Sequence, residues 1–90
     1  MAHINIVRTH SQSHDEILAT AESIAKDMSA HFGIRYHWED ERIIFDRPGV
    51  KGHIDVLPDE IRIKAQLGLL LAAMKSPIEN EVHKQLDKLL

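Results

Sequence analysis

Residues 34–67 read IRYHWEDERIIFDRPGVKGHIDVLPDEIRIKAQL, and apolar side chains recur there at nearly every second position. This alternation is typical of β-strands with one buried face, because successive side chains of a strand point to opposite sides. Turn-forming residues interrupt it at Glu39-Asp40-Glu41, at Pro48-Gly49 and at Leu57-Pro58-Asp59-Glu60. The stretch therefore predicts four strands in an antiparallel meander.

The predicted strands place their apolar residues on one side of the sheet. The clearest alternation precedes Gly68, where arginine, lysine and glutamine separate the apolar residues. An apolar face of this size needs a layer of helices to cover it. The inward positions of the four strands are Ile34, Tyr36, Trp38, Ile43, Phe45, Val50, Gly52, Ile54, Val56, Ile61, Ile63, Ala65 and Leu67.

A strand and a helix are predicted upstream of the meander. Ile4 and Ile6 alternate with His3, Asn5 and Val7 and indicate a strand of β-branched residues. Ser13 and Glu16 have the spacing of a capping box, in which each side chain bonds to the backbone N–H of the other residue. Apolar residues then recur at intervals of three and four until a glycine, which predicts a helix over residues 14–32.

A second helix is predicted downstream of the meander. Residues 69–75 form a short, mostly apolar segment. Ser76 and Glu79 again have capping-box spacing, with Pro77 at the first helical position, so we expect the helix to begin at Pro77. Its buried stripe is predicted to contain Ile78, Val82, Leu86 and Leu89.

The element order β-α-β-β-β-β-α predicts a single α+β domain over residues 1–90. We expect a curved, five-stranded antiparallel sheet backed by two helices on one face, as in the TBP-like and helix-grip folds. The two helices and the sheet should share one hydrophobic core. Its predicted members are Ile6, Ile24, Met28, Trp38, Phe45, Ile54, Ile63 and Val82.

The composition is that of a folded globular protein. Apolar residues make up 43% of the 90-residue chain and charged residues 28%, and the formal net charge is −3. A chain without cysteine has neither disulfides nor thiolate metal ligands to supplement its core. The sequence has no signal-peptide pattern and no apolar run of membrane-spanning length, so we expect a soluble cytoplasmic protein.

The residues predict no catalytic, cofactor or metal site. The serines lack the sharp-turn setting of a nucleophile, and the carboxylates of residues 39–41 are expected to be solvated in a turn. Seven histidines are present, but their spacing is not that of a metal site. His37 and His53 face the same side of the predicted sheet, yet a strand separates them, so their backbones should be about 10 Å apart.

The outward face of the predicted sheet is modestly basic. Cross-strand ion pairing, a homodimer or partner surface, and nucleic-acid binding are three interpretations of it. The net negative charge and the inward aromatic rings disfavour nucleic acid, because sheets that bind single strands expose aromatic rings. The cations are Arg35, Arg42, Lys51, Arg62 and Lys64, and the acids are Glu39, Asp46 and Asp55.

Residues 69–74, LLLAAM, are apolar on every side, which is more than one helical face against the sheet can hide. The candidate docking residues are Leu69, Leu70, Leu71 and Met74, and we expect Leu71 to point outward. The segment either fills the open end of the sheet or a subunit interface, or docks onto a hydrophobic partner or ligand. Leucine and methionine suit an irregular partner because their side chains are adaptable.

Several short motifs are spread over nearly the whole chain: Arg8 with His10-Ser11, Phe32-Gly33, Tyr36 with Trp38, Phe45 with Arg47, Gly49-Val50-x-Gly52, Leu67-Gly68, and Lys75-x-Pro77-Ile78-Glu79 before Leu86-Asp87. In order and spacing they resemble the polyhydroxyalkanoic acid system protein family, small bacterial proteins associated with polyester storage genes. The resemblance implies a bacterial cytoplasmic protein connected with polyhydroxyalkanoate granules, and it carries over no catalytic residue. We therefore expect a noncatalytic accessory or granule-associated protein. A dimeric scaffold or regulator and a nucleic-acid-binding module are the alternatives.

Overall fold

The computed structural model describes residues 2–90, so Met1, the first residue of the predicted domain, lies outside the described residues. The order of elements confirms the predicted α+β fold. The elements are β1 (Ala2–Thr9), α1 (His14–Phe32), β2 (Tyr36–Glu39), β3 (Arg42–Arg47), β4 (Val50–Val56), β5 (Glu60–Leu67), a 3-10 helix (Leu69–Met74) and α2 (Lys75–Leu89).

The five strands form one open, curved sheet in the order β1-β5-β4-β3-β2, and all neighbours are antiparallel. Strands β2 to β5 are the predicted meander, and β1 is added beside β5. The register carries an apolar row across the inner face of the sheet. Its successive partners are Trp38, Ile43, Ile54, Ile63 and Ile6.

Helices α1 and α2 cover this inner face and join it in one core cluster. The predicted core residues all belong to the cluster, although Trp38 is only half-buried against it. Trp38 lies on the edge strand β2, which has a neighbouring strand on one side only. Leu89, which was predicted to belong to the α2 stripe, is half-buried, while the other three members of that stripe are buried: Ile78, Val82 and Leu86.

Both ends of α1 have the predicted structure. The Ser13 hydroxyl oxygen accepts a hydrogen bond from the Glu16 N–H at 3.2 Å, and Glu16 Oε1 accepts one from the Ser13 N–H at 2.9 Å. At the other end, Gly33 has a φ of 65° and donates its N–H to the Ser29 carbonyl oxygen at 3.0 Å. Glycine adopts this left-handed conformation without steric penalty.

The predicted start of α2 is wrong, because the helix begins at Lys75 and the capping box of Ser76 and Glu79 does not form. Met74 occupies the N-cap position and makes no side-chain cap. The preceding 3-10 helix runs directly into α2, and the Lys75 N–H donates to the Ala72 carbonyl oxygen. Pro77 falls within the first turn, where an N–H has no partner inside the helix, so proline is tolerated there.

Candidate functional site

The apolar segment Leu69–Met74 forms a 3-10 helix between the sheet and α2. Just before it, Gly68 donates its N–H to the Gly49 carbonyl oxygen at 2.9 Å. The Leu71 N–H in turn donates to the Gly68 carbonyl oxygen at 3.0 Å. Because Gly49 belongs to the turn between β3 and β4, these bonds attach the start of the segment to the end of the sheet.

Two of the four candidate docking residues project into solvent. Leu69 is 81% exposed and Leu70 is 97% exposed, and we refer to them as the exposed leucine pair. Leu71 and Met74 are half-buried and pack against the core, so the expectation that Leu71 points outward is wrong. Side chains three residues apart lie on the same side of a 3-10 helix, so Leu71 and Met74 can face the core together while Leu70 points away.

Leu71 and Met74 also line an open groove of about 280 Å³. Its other apolar lining residues come from the end of α1, from the loop between α1 and β2, from β4 and from the start of α2. Arg47 lies at this groove and donates from Nη1 to the Phe32 carbonyl oxygen at 2.7 Å. Leu71 comes directly after the exposed leucine pair in the sequence and lines the groove. The pair and the groove are therefore adjoining apolar features. The apolar lining residues are Phe32, Ile34, Val50, Leu71, Met74 and Ile78.

The outward face of the sheet carries several ion pairs, one of which joins two neighbouring strands. Arg42 and Asp55 lie opposite each other on β3 and β4, and Arg42 Nε donates to Asp55 Oδ1 at 2.5 Å, which confirms cross-strand pairing at this position. Arg62 Nε donates to Glu60 Oε2 at 2.7 Å; this bond lowers the pKa of Glu60 and raises that of Arg62. Such exposed pairs contribute little to stability. The other predicted cations are Lys51 on β4, Lys64 on β5 and Arg35 just before β2.

His37 and His53 have the predicted positions on the two strands that flank β3. Each of them lies opposite Ile44 in the register. His37 Nε2 is 2.7 Å from Glu39 Oε2, and His53 Nε2 is 3.3 Å from Asp55 Oδ2. Each histidine thus contacts an acid of its own strand, and the structure does not bring the two imidazoles together.

A cluster of three polar side chains lies where α1 packs against α2. It contains Asp27 and His31 of α1 and Glu81 of α2, and one nitrogen or oxygen atom from each residue lies within 4.8 Å of the others. Within the cluster, His31 Nε2 is 3.1 Å from Asp27 Oδ1. Burial and then the Glu81 carboxyl group raise the pKa of Asp27, whereas the hydrogen bond with Asp27 lowers the pKa of Glu81.

This cluster does not follow from the sequence patterns used above. Asp27 and His31 are four residues apart and form a visible helical pair. Glu81 comes from a different helix, and the periodicity of each helix alone does not show which of its polar residues face the other helix. The sequence offered one signal for this cluster, the four-residue spacing of Asp27 and His31 on α1.

Two arginines from the motifs connect separate elements of the fold. Arg47 joins β3 to the end of α1, as described above, and Arg8 of β1 contacts α2 twice. Arg8 Nη1 is 2.9 Å from Asp87 Oδ1, and Arg8 Nη2 donates to His83 Nδ1 at 3.0 Å.

The family model described as "Putative polyhydroxyalkanoic acid system protein" matches residues 4–90. The chain belongs to this family.

In this chain, Arg8 joins β1 to α2 and Arg47 joins β3 to α1, so the two arginines hold the sheet to the two helices. No curated protein and no solved structure matches the chain. The likeness to the TBP-like and helix-grip folds therefore stays a prediction. Within residues 2–90, the helices are too short or too polar to cross a membrane.

Proposed function

We propose that the protein is a noncatalytic accessory protein of polyhydroxyalkanoate storage that contacts the storage granule in the cytoplasm through the exposed leucine pair. Family membership supports the connection with polyester storage. The observation that carries the contact is the exposure of Leu69 and Leu70, which are 81% and 97% exposed and adjacent. An exposed apolar patch at a fixed place in the fold is typical of an interaction site.

A polyester surface suits this patch chemically. Ester groups accept hydrogen bonds but donate none, and hydrocarbon lies between them, so attraction comes mainly from removing apolar surface from water. Burial of one leucine side chain contributes roughly 1.5–3 kcal/mol. The pair therefore supports a weak, reversible association, and the adjoining groove lined by Leu71 and Met74 offers further apolar area.

A noncatalytic role is supported by the structural use of polar groups between β1 and α1. His10 Nδ1 accepts a hydrogen bond from the Gln12 N–H at 3.1 Å, and His10 Nε2 donates to the Leu57 carbonyl oxygen at 2.8 Å. The Thr20 hydroxyl donates to Gln12 Oε1 at 2.8 Å. These side chains hold the loop between β1 and α1 in place.

Co-sedimentation with purified polyester granules tests the proposed contact. Leu70→Asp places a carboxylate in the patch, and its desolvation costs several kcal/mol in an apolar contact. Val7→Asp is the matched control, because Val7 is another exposed apolar residue, lies on the outer face of β1 and is opposite Arg62. We expect the wild type and Val7→Asp to sediment with granules and Leu70→Asp to stay in the supernatant while remaining folded by circular dichroism.

Three outcomes would contradict direct contact through the leucine pair. The wild type could fail to sediment with granules, or both variants could lose binding equally. The third is a wild-type dimer that becomes a monomer in Leu70→Asp, as measured by light scattering. That result would identify the pair as a subunit interface.

A further inference from the structure

The cluster of Asp27, His31 and Glu81 places three potential metal ligands from two helices at one point. Asp27 and His31 lie one turn apart on α1, and Glu81 faces them from α2. His31 Nε2 and Asp27 Oδ1 are already 3.1 Å apart. Ligand atoms around a tetrahedral zinc ion, with bonds of about 2.0–2.2 Å, are about 3.3 Å apart. The first two ligand atoms therefore have the spacing of metal ligands, and Glu81 offers an oxygen within 4.8 Å of both.

A separate feature of Asp27 indicates a missing partner. The Asp27 side chain is only 17% exposed. Its Oδ2 atom is buried and accepts no hydrogen bond from an N–H or hydroxyl group of the described residues, and the Asp27 carboxyl group can bond to that of Glu81 only through a shared proton. Buried polar atoms in proteins are nearly always bonded, so each unpaired one requires an explanation. A cation bound at the cluster would give this oxygen a partner.

The local charge also favours a cation. Asp27 and Glu81 bring two carboxyl groups together at a helix–helix contact, and Lys84 is the neighbouring cation that acts on both. With His31 neutral and both carboxyl groups ionised, Lys84 offsets only one of the two negative charges. The site would therefore keep a net negative charge, which a divalent ion neutralises.

The ligand types select the class of ion. Magnesium and calcium prefer oxygen ligands, whereas imidazole together with carboxylate suits zinc and similar transition metals. The His31 side chain is 58% exposed, so the cluster opens to solvent on that side and water can complete the coordination. We propose that Asp27, His31 and Glu81 form a binding site for a divalent transition-metal ion such as Zn²⁺ that joins α1 to α2. This proposal differs from the expectation based on histidine spacing, and it does not depend on granule contact.

Calorimetric titration of the chelator-treated protein with zinc chloride tests the proposal. We expect saturable binding of one ion per chain, and no comparable binding of magnesium. His31→Gln and Glu81→Gln should each weaken zinc binding by at least about tenfold, since even residues that only support metal ligands contribute that much. Co²⁺ bound in place of zinc should give the visible d–d absorption bands of a low-symmetry coordination site in the wild type. These bands should be absent in both variants.

His14→Gln is the matched control for adventitious binding to surface histidines. His14 lies on the same helix, is also 58% exposed, and pairs with a carboxylate, with its Nε2 2.9 Å from Glu41 Oε1. This variant should bind zinc as the wild type does. The proposal is overturned if the wild type shows no saturable zinc binding, or if His31→Gln and Glu81→Gln bind as tightly as His14→Gln. His31 and Glu81 lie outside the core cluster, so we expect both variants to fold, with circular dichroism as the check.

Discussion

Gly52 on β4 lies directly opposite Ala65 on β5, and the two backbones approach so closely that position 52 has no room for a side chain. A Cβ atom at position 52 would lie 2.9 Å from the Ala65 Cβ and 2.5 Å from the Lys64 carbonyl oxygen. The carbonyl belongs to the backbone of a central strand and cannot move without disturbing the sheet. The close approach of β4 and β5 therefore explains why position 52 is a glycine.

Gly52→Ala should destabilise the protein, because the added methyl group forces strands β4 and β5 apart. Overpacking of this kind costs about 1–3 kcal/mol. Gly68→Ala is the control, since a Cβ atom at Gly68 would have its nearest neighbour at 3.7 Å and the residue has a negative φ. Chemical denaturation should show a clear loss for Gly52→Ala and a much smaller change for Gly68→Ala. Equal effects of the two changes would contradict the close approach.

Phe45→Ala should remove a large part of the stability of the domain. Phe45 is buried in the core cluster opposite Tyr36 and Gly52. Truncation of a buried phenylalanine costs roughly 3–5 kcal/mol. Ile44→Ala, at the neighbouring outward position of the same strand, should cost much less in urea unfolding. A reversed order would show that the strand has the opposite register, because a shift of one residue exchanges the two faces.

The two capping boxes in the sequence should respond differently to mutation. Ser13 caps α1, so Ser13→Ala should cost about 1 kcal/mol of stability. Ser76 lies inside the first turn of α2 and caps nothing, so Ser76→Ala should be neutral or slightly stabilising, since alanine favours helix. Urea midpoints of the two variants provide the comparison. A comparable loss in Ser76→Ala would mean that α2 begins at Pro77 after all.

The capping box also predicts a pH effect. The backbone N–H of Ser13, followed by its hydroxyl group, holds the pKa of Glu16 below its ordinary value of 4.5. A lowered folded-state pKa means that this contribution to stability is present above the ordinary value and is lost as the pH falls through the folded-state value. Titration of the Glu16 carboxyl group by NMR should give a lower pKa in the folded protein than in a short peptide. Equal values would exclude the hydrogen bond in solution.

Metal should not be required for folding, even if zinc binds at the α1–α2 cluster. The core consists of apolar residues and is continuous from the sheet to both helices. After exhaustive chelation, we expect a cooperative thermal transition and native circular dichroism, with zinc raising the midpoint only through binding to the folded state. Unfolding on chelation, with recovery on addition of one equivalent of zinc, would show that metal is required.

The local parts of the fold were predictable from the sequence because neighbouring residues determine them. Alternation over residues 34–67 predicted the meander, and the capping box of Ser13 predicted the start of α1. The second capping box failed because the identical motif follows a 3-10 helix that already supplies a partner for the first N–H of α2.

Features that depend on tertiary placement were not predictable. The apolar composition of residues 69–74 indicated a docking segment, but it does not show which leucines are exposed. Leu70 points into solvent and Leu71 packs against the core because the segment is a 3-10 helix with three residues per turn. The contact of Glu81 with Asp27 requires two helices to pack at one particular rotation. A pattern read along one helix contains no information about that rotation.

The pairing of β1 with β5 has a consequence for synthesis on the ribosome. Ala2 lies opposite Leu67 and Thr9 lies opposite Glu60, so the first strand finds its partner only after β5 has been made. Closing so long a loop before any of its contacts form is slow. Until then, the sheet is incomplete and the apolar stripe of α1 cannot be fully buried against it. We therefore expect this domain to remain unfolded during synthesis until β5 has been translated, and prematurely terminated products without β5 to depend on chaperones and to be degraded quickly.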